Sequence, residues 1–294
     1  MHVSAKPDLI SVLMGITFAL IWSSAFSAAK IALQDAPPLT FLAIRFAIAG
    51  FIGIGLAWAL GQRLPQSKQA WTAIVFLGIC QNALYLGLFF VAMTHVPGGI
   101  AAIIASSMPL FVAVVGPFIL KETLGIQAVF GLILGFGGVI YIMASHLDGV
   151  SGTWTGYAIC VVGVVALSTA TILVRSVKFG TGLLMVVGLQ MLVGGVALAP
   201  FAVLFESFED ITPTVSLGLA FLYQTFVPGL IATMIWFALI GRIGATRASV
   251  YHFLNPAFGV FIAYLVLSEP FGIPDMIGVA VVTLGILCVQ LSKT

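Results

Sequence analysis

Polar and aromatic side chains fall together at Trp22, Ser23 and Ser24, and again at Gln81, Asn82 and Tyr85. Others stand at Ser106 and Ser107, at Tyr223, Gln224 and Trp236, and at Tyr251, His252 and Asn255. All lie inside long apolar runs. A polar group in hydrocarbon is costly, so it faces a cavity or a partner. Gln81 and Tyr85 are four residues apart, as are Tyr251 and Asn255, and each pair shares a helix face. The set mixes aromatic planes with neutral donors and acceptors. Aromatic walls hold a bulky ring, and amides or hydroxyls hold a polar end. The candidate substrate-binding residues are therefore Trp22, Ser24, Gln81, Asn82, Tyr85, Ser107, Trp236, Tyr251, His252 and Asn255. The competing reading gives Ser and Thr to helix contacts and Trp and Tyr to the interfacial belt. Trp58, Trp71 and Trp154, at the ends of apolar runs, belong to that belt.

Two basic side chains, Lys30 and Arg45, fall within the runs. Arg45 is about seven residues in, roughly 10 Å deep. It either snorkels or pairs with Asp35, or it attracts a substrate carboxylate. Pro109 and Pro256 each remove a backbone donor and free the carbonyl four residues earlier, at Ala105 and His252. A freed carbonyl mid-membrane needs protein or cavity water. The two carbonyls are expected to face the pathway, with Pro109 and Pro256 as hinges; the alternative is a packing kink.

Catalysis is poorly provided for. There is no HExxH, no GxSxG, no carboxylate pair in an apolar run and no Cys/His cluster. No metal or cofactor is implied. Cys80, Cys160 and Cys288 read as small packing residues. No Asp or Glu lies deep in a run, and His252 is the one deep group that titrates near neutrality. Proton coupling is therefore not evident, and facilitated diffusion or exchange has equal standing. A passive channel would want a continuous polar lining, whereas this one is sparse and aromatic.

The elements that position these residues follow from composition. Hydrophobic residues make up 61% of the chain and charged residues 7%; soluble domains carry about 25% charged. A spanning helix needs about 20 apolar residues. Ten stretches qualify: 9–33, 38–60, 70–93, 98–120, 125–145, 152–174, 182–205, 214–240, 244–267 and 272–291. The first is too long for a signal-peptide core. Ten spans put both termini on one side, together with Lys6, Arg63, Lys68, Lys121, Arg175, Lys178, Arg242, Arg247 and Lys293. The other side holds Asp35, Asp148, Glu206, Glu209, Asp210, Glu269 and Asp275. The basic bias places both termini in the cytoplasm. The net charge of +2 is a topology signal and implies no nucleic acid.

The chain is also doubled. Pro109, Glu122, Gly125, Gly131 and Gly138 recur 147 residues later as Pro256, Glu269, Gly272, Gly278 and Gly285. Phe89 and Phe90 match Trp236 and Phe237 at the same offset. Arg45 falls opposite Gln190, and Ala25, Ser27, Ala29 and Ile31 match Ala166, Ser168, Ala170 and Ile172. Trp22 and Lys30 fall opposite Gly163 and Thr171. Repeats decide architecture. Five spans per copy is odd, so residues 1–147 and 148–294 form two five-helix repeats inserted in opposite senses, with a substrate site between them. Gly131, Gly135, Gly50, Gly53 and Gly55 read as close packing within a monomer.

The doubled pattern, the 22–26 stretch Trp-Ser-Ser-Ala-Phe ending at Lys30, the 42–46 stretch Leu-Ala-Ile-Arg-Phe, and the two Pro-to-Glu-to-Gly hairpins resemble the drug/metabolite transporter superfamily in its EamA-type branch. The aromatic lining is similar to that of its aromatic amino-acid exporters. The resemblance implies an all-α integral membrane protein of ten helices, with a central cavity lined by helices 1, 3, 4, 6, 8 and 9. It implies a multi-pass protein of a bacterial inner membrane that exports amino acids, nucleosides or other small metabolites, and that functions as a monomer in the bilayer. The second copy departs from the pattern at Gly163, Thr171 and Gln190, so its half of the site should be less polar and less charged.

Overall fold

In a computed structural model the chain is described over residues 8–96, 98–120, 124–144, 153–267 and 272–292. These residues form ten helical spans. They are α1 (Leu9–Ala32), α2 (Pro38–Ala59), α3 (Lys68–Ala92), α4 (Gly98–Ser106 and Met108–Leu120) and α5 (Ile126–Ala144). Then come α6 (Trp154–Ser176), α7 (Leu183–Phe205), α8 (Val215–Ile243), α9 (Ala245–Ser249, Val250–Phe253 and Leu254–Leu267) and α10 (Ile273–Leu291). Eight helices among the described residues are long and apolar enough to cross a membrane. The shorter α5 and the segmented α9 complete two sets of five. Glu122 and Glu269 of the two hairpins lie outside the described residues, as do Lys6, Lys121, Asp148 and Lys293.

The helices are apolar on all sides, so burial is divided by what each side touches. Phe51, Phe118, Ile126 and Phe205 are each more than 60% exposed, which suits a lipid solvent and no other. Ends are set by local chemistry. Asp8, Ser67, Thr153 and Thr214 cap α1, α3, α6 and α8 by accepting from the backbone three residues on. The start of α2 is capped from a distance. Glu206, after α7, accepts from the backbone N–H of Leu39 (2.9 Å) and Thr40 (2.6 Å), a carboxylate at a positive helix end. Gln62, after α2, returns the contact by accepting from the N–H of Met185 at the start of α7 (3.0 Å). The two repeat mates thus cap each other.

Two antiparallel seams hold the bundle, each between a helix and its own mate. In the α2/α7 seam a Cβ on Gly188 would lie 2.7 Å from the backbone N of Ile54, and one on Gly50 would lie 2.8 Å from that of Leu192. In the α5/α10 seam a Cβ on Gly131 would lie 2.6 Å from the Gly285 carbonyl O, and one on Gly285 would lie 2.5 Å from the backbone N of Gly135. Such spacings admit hydrogen only, which is how small residues let membrane helices pack closely. Gly50, Gly53, Gly131 and Gly135 therefore do pack within the chain, whereas Gly55 has nothing within 4 Å.

Both repeats carry the same irregularities. α3 is π-helical over Gly78–Leu86 and α8 over Thr225–Ala232, starting 147 residues apart. α4 breaks at Ser107, two residues before Pro109, and α9 is 3₁₀ over Val250–Phe253, just before Pro256. The missing proline N–H accounts for both breaks. The expectation for the freed His252 carbonyl is corrected: the Ser106 hydroxyl donates to it at 3.3 Å, so another helix satisfies it and the pathway does not. Asp8 and Ser292 lie at one end of the bundle, by the α8–α9 turn. Arg242 pairs with Asp8 at 2.6 Å, and the Arg247 guanidinium donates to the Ser292 carbonyl at 2.8 Å.

Candidate functional site

A cavity lies in the half of the bundle away from that end. α1 contributes Trp22, Ala25, Phe26 and Ala29, and α3 contributes Asn82, Tyr85, Leu86, Phe89, Phe90 and Met93. α8 adds Gln224, Pro228, Gly229 and Thr233, α2 adds Arg45 and α7 adds Met191. This differs from the expected helix set: among the described residues α4, α6 and α9 give no wall residue, while α2 and α7 do. Packing explains the absence of α6. A Cβ on Gly163 would lie 2.8 Å from the Phe89 ring, so α6 packs directly behind Phe89, and Phe89 of α3 forms the wall in its place.

Arg45 is buried, at 3% exposure, so it does not snorkel. Nor does it pair with Asp35, whose carboxylate accepts instead from the Thr214 hydroxyl at 2.5 Å. Its Nη1 donates to Gln224 Oε1 at 2.6 Å, its guanidinium lies 4.6 Å from the Phe46 ring centroid, and its Nε has no partner. Among the described residues no carboxylate lies within ion-pair distance of it. The aromatic contact is worth about 0.5–2 kcal/mol, well short of the cost of leaving a buried cation without a counter-charge. Gln224 is itself fixed, its Nε2 donating to the Ala25 carbonyl at 2.7 Å.

Asn82 faces the same cavity. Its Nδ2 donates to Gln190, to the backbone carbonyl at 3.0 Å and to Oε1 at 2.8 Å, while Oδ1 has no partner. Trp22 and Tyr85 form one aromatic side. Their rings stack 6.4 Å apart, and the Trp22 indole N–H donates to the Tyr85 hydroxyl at 3.4 Å. The cavity thus offers a cation, an open acceptor and flat apolar walls.

Towards the termini an aromatic layer closes it. Phe18 stacks on Trp236 at 4.7 Å and lies 5.2 Å from Trp22 and 5.1 Å from His252, with Trp236 and His252 4.8 Å apart. The ten candidate residues therefore divide. Trp22, Asn82 and Tyr85 line the cavity. Trp236 and His252 are in the closing layer, and Tyr251 and Asn255 are buried beside it on α9, with Tyr251 against Gly15 and Asn255 amide atoms unpartnered. Ser24 pairs with the Tyr223 hydroxyl at 2.5 Å, Ser107 donates to the Ile104 carbonyl at 2.6 Å, and Gln81 is buried outside the wall. Lys30 is exposed, as snorkelling requires. The match of Phe89 and Phe90 to Trp236 and Phe237 marked a wall position that the list of polar groups passed over. Gln224 stood among the polar groups without a sign that it holds Arg45.

Two five-helix repeats of opposite sense around a cavity define an integral membrane protein of transporter type. The EamA-like transporter family model matches twice, over residues 9–144 and 154–291; the chain belongs to that family, within the drug/metabolite transporter superfamily. A protein described as an uncharacterized transporter of Synechocystis sp. is 27% identical over 88% of this chain and 83% of its own. The uncharacterized inner membrane transporter YedA of Escherichia coli is 25% identical over 96% of this chain and 91% of its own. A solved crystal structure has the same fold, with a TM-score of 0.79 at 22% identity over 96% of both chains. The protein is a multi-pass membrane transporter with a small-molecule substrate.

Proposed function

We propose that the protein exports neutral amino acids, aromatic ones above all, from a bacterial cell across the inner membrane by alternating access. It does so as a monomer, with both termini cytoplasmic and residues 1–147 and 148–294 acting as inverted halves. The observation that carries this reading is Arg45, a buried cation without a carboxylate partner in an aromatic cavity. A substrate carboxylate would supply the missing charge. Asn82 Oδ1 would accept from the ammonium group, and Trp22, Tyr85, Phe89 and Phe90 would pack the side chain. The layer of Phe18, Trp236 and His252 supports a carrier over an open channel, and its position means that the cavity belongs to the outer half. Pro109 and Pro256, at the breaks of α4 and α9, are the proposed hinges.

The test is counterflow in liposomes carrying the purified protein, with labelled phenylalanine and a panel of amino acids, their decarboxylated amines, and nucleosides. Saturable counterflow of phenylalanine, with phenethylamine a poor competitor, is the expected result. Counterflow of nucleosides alone, or equal competition by the amine, would remove the amino-acid reading. Flux that neither saturates nor exchanges would favour a channel.

A further inference from the structure

Two pairs of repeat mates lie within the cavity wall: Asn82 with Gly229 and Leu86 with Thr233, each 147 residues apart. A two-fold operation carries every point to another place except those on its axis. Wall positions whose mates are also in the wall therefore flank the pseudo-two-fold axis. Arg45 and Gln224 behave otherwise, since their mates Gln190 and Leu77 are absent from the wall.

Asn82 and Gly229 both sit in the π-helical segments, and short π-helical stretches concentrate at functional sites. Beside an axis there is room for one side chain of a mated pair. Gly229 has none, and a Cβ there would lie 2.9 Å from the Gln224 carbonyl O. Asn82 fills the place. It is admitted by Gly194, where a Cβ would lie 2.3 Å from the Asn82 Cβ. Gln190 orients its amide nitrogen, and the buried Oδ1 is left open.

An inverted-repeat carrier exchanges the conformations of its halves at each turnover. Off-axis wall positions are then replaced by their mates, and positions at the axis stay. We infer that Asn82 contacts the transported solute in both states, its Oδ1 accepting from an N–H donor of the solute. Arg45 contacts the solute only when it is reached from the face opposite the termini. In the other state Gln190 stands in the wall for Arg45 and Leu77 for Gln224, so a carboxylate meets no cation. Carboxylate solutes are bound more tightly from the face opposite the termini than from the terminal face. This rests on the alternating-access reading above.

The experiment measures half-saturation for labelled phenylalanine separately at each face, in liposomes holding the protein in known orientation. Asn82→Ala raises it about tenfold or more at both faces, the scale for losing a hydrogen bond to a charged group. Arg45→Gln raises it about tenfold more at the face opposite the termini than at the terminal face, and Arg45→Lys partly restores it. An Asn82→Ala effect confined to one face, or an Arg45→Gln effect equal at both, overturns the inference while wild-type counterflow leaves the function standing. Absence of wild-type counterflow removes the amino-acid reading instead. A second measurement then decides the inference without any substrate. In a background with Cys80, Cys160 and Cys288 replaced by Ala, an impermeant methanethiosulfonate modifies Asn82→Cys from both faces and Arg45→Cys from one. Modification of Asn82→Cys from a single face, or of Arg45→Cys from both, overturns it.

Discussion

Arg45 on α2 and Gln190 on α7 hold equivalent places in the two repeats, and each reaches one polar partner across the bundle. Arg45 donates to Gln224 and faces the cavity; Gln190 holds Asn82 and is out of the wall. The frames around them are alike: reciprocal caps, a glycine seam, a π-helical neighbour. Duplication has kept the mechanical parts in step, whereas the recognition parts have drifted apart. A carrier of this design needs symmetric mechanics to reach both faces, but it needs only one good binding surface.

The largest effects should come from breaking the symmetric frame. Gly285→Leu puts a side chain where the Gly135 backbone N already sits, 2.5 Å from its Cβ. Overpacking costs about 1–3 kcal/mol where neighbours are side chains, and more where backbone must move. Gel filtration in detergent should show loss of folded protein for Gly285→Leu, with Gly55→Leu, in open space, eluting as wild type. Equal behaviour of the two would mean that the seams do not hold the frame.

Next come the asymmetric parts. Beyond the Arg45→Gln change above, Gln190→Leu leaves the Asn82 amide nitrogen without its side-chain acceptor. It should weaken phenylalanine binding about fivefold, the value of about 1 kcal/mol for one neutral hydrogen bond. A Gln190→Leu effect larger than that of Arg45→Gln would reverse the ranking of the two halves.

The caps sharpen the comparison further. Glu206→Ala should lower thermal stability by about 1–2 kcal/mol and Gln62→Ala by about 1 kcal/mol. Glu206 accepts twice from backbone and adds a charge at the helix N-terminus. Thermal unfolding in detergent compares them. The smallest effect is at the terminal end. The Ser11 hydroxyl and backbone N–H, with Arg242 beside it, hold the Asp8 carboxyl below its usual 3.8. A carboxyl depressed on folding stabilises above its unfolded value, and that stabilisation is lost as pH falls through the folded one. Asp8→Asn should therefore melt slightly earlier than wild type at neutral pH, and the gap should close in acid below 3.8. A gap that persists there would assign the effect to packing.

The frame was legible in the sequence because Pro, Gly and charge are constrained by backbone geometry and by the membrane. The described spans lie within about three residues of the stretches read from hydropathy. Trp22, Asn82 and Tyr85 were legible as wall because few polar groups survive in hydrocarbon without a use. The division of the remaining candidates was not. These helices are apolar on every side, so no amphipathic stripe tells which way Gln81 or Trp236 points. The π-helical segments were hidden too, because one extra residue per turn arises from packing and leaves no mark in composition. Glu206 read as a loop charge for the same reason: its partners, Leu39 and Thr40, are far away in sequence.

The seams also set an order of assembly. Gly131 and Gly135 on α5 close against Gly285 on α10, which leaves the ribosome much later. About 130 residues are made after α5 before its bare backbone surface can be covered. During that interval the bilayer, or whatever inserts the chain, has to shield a groove that α10 fits.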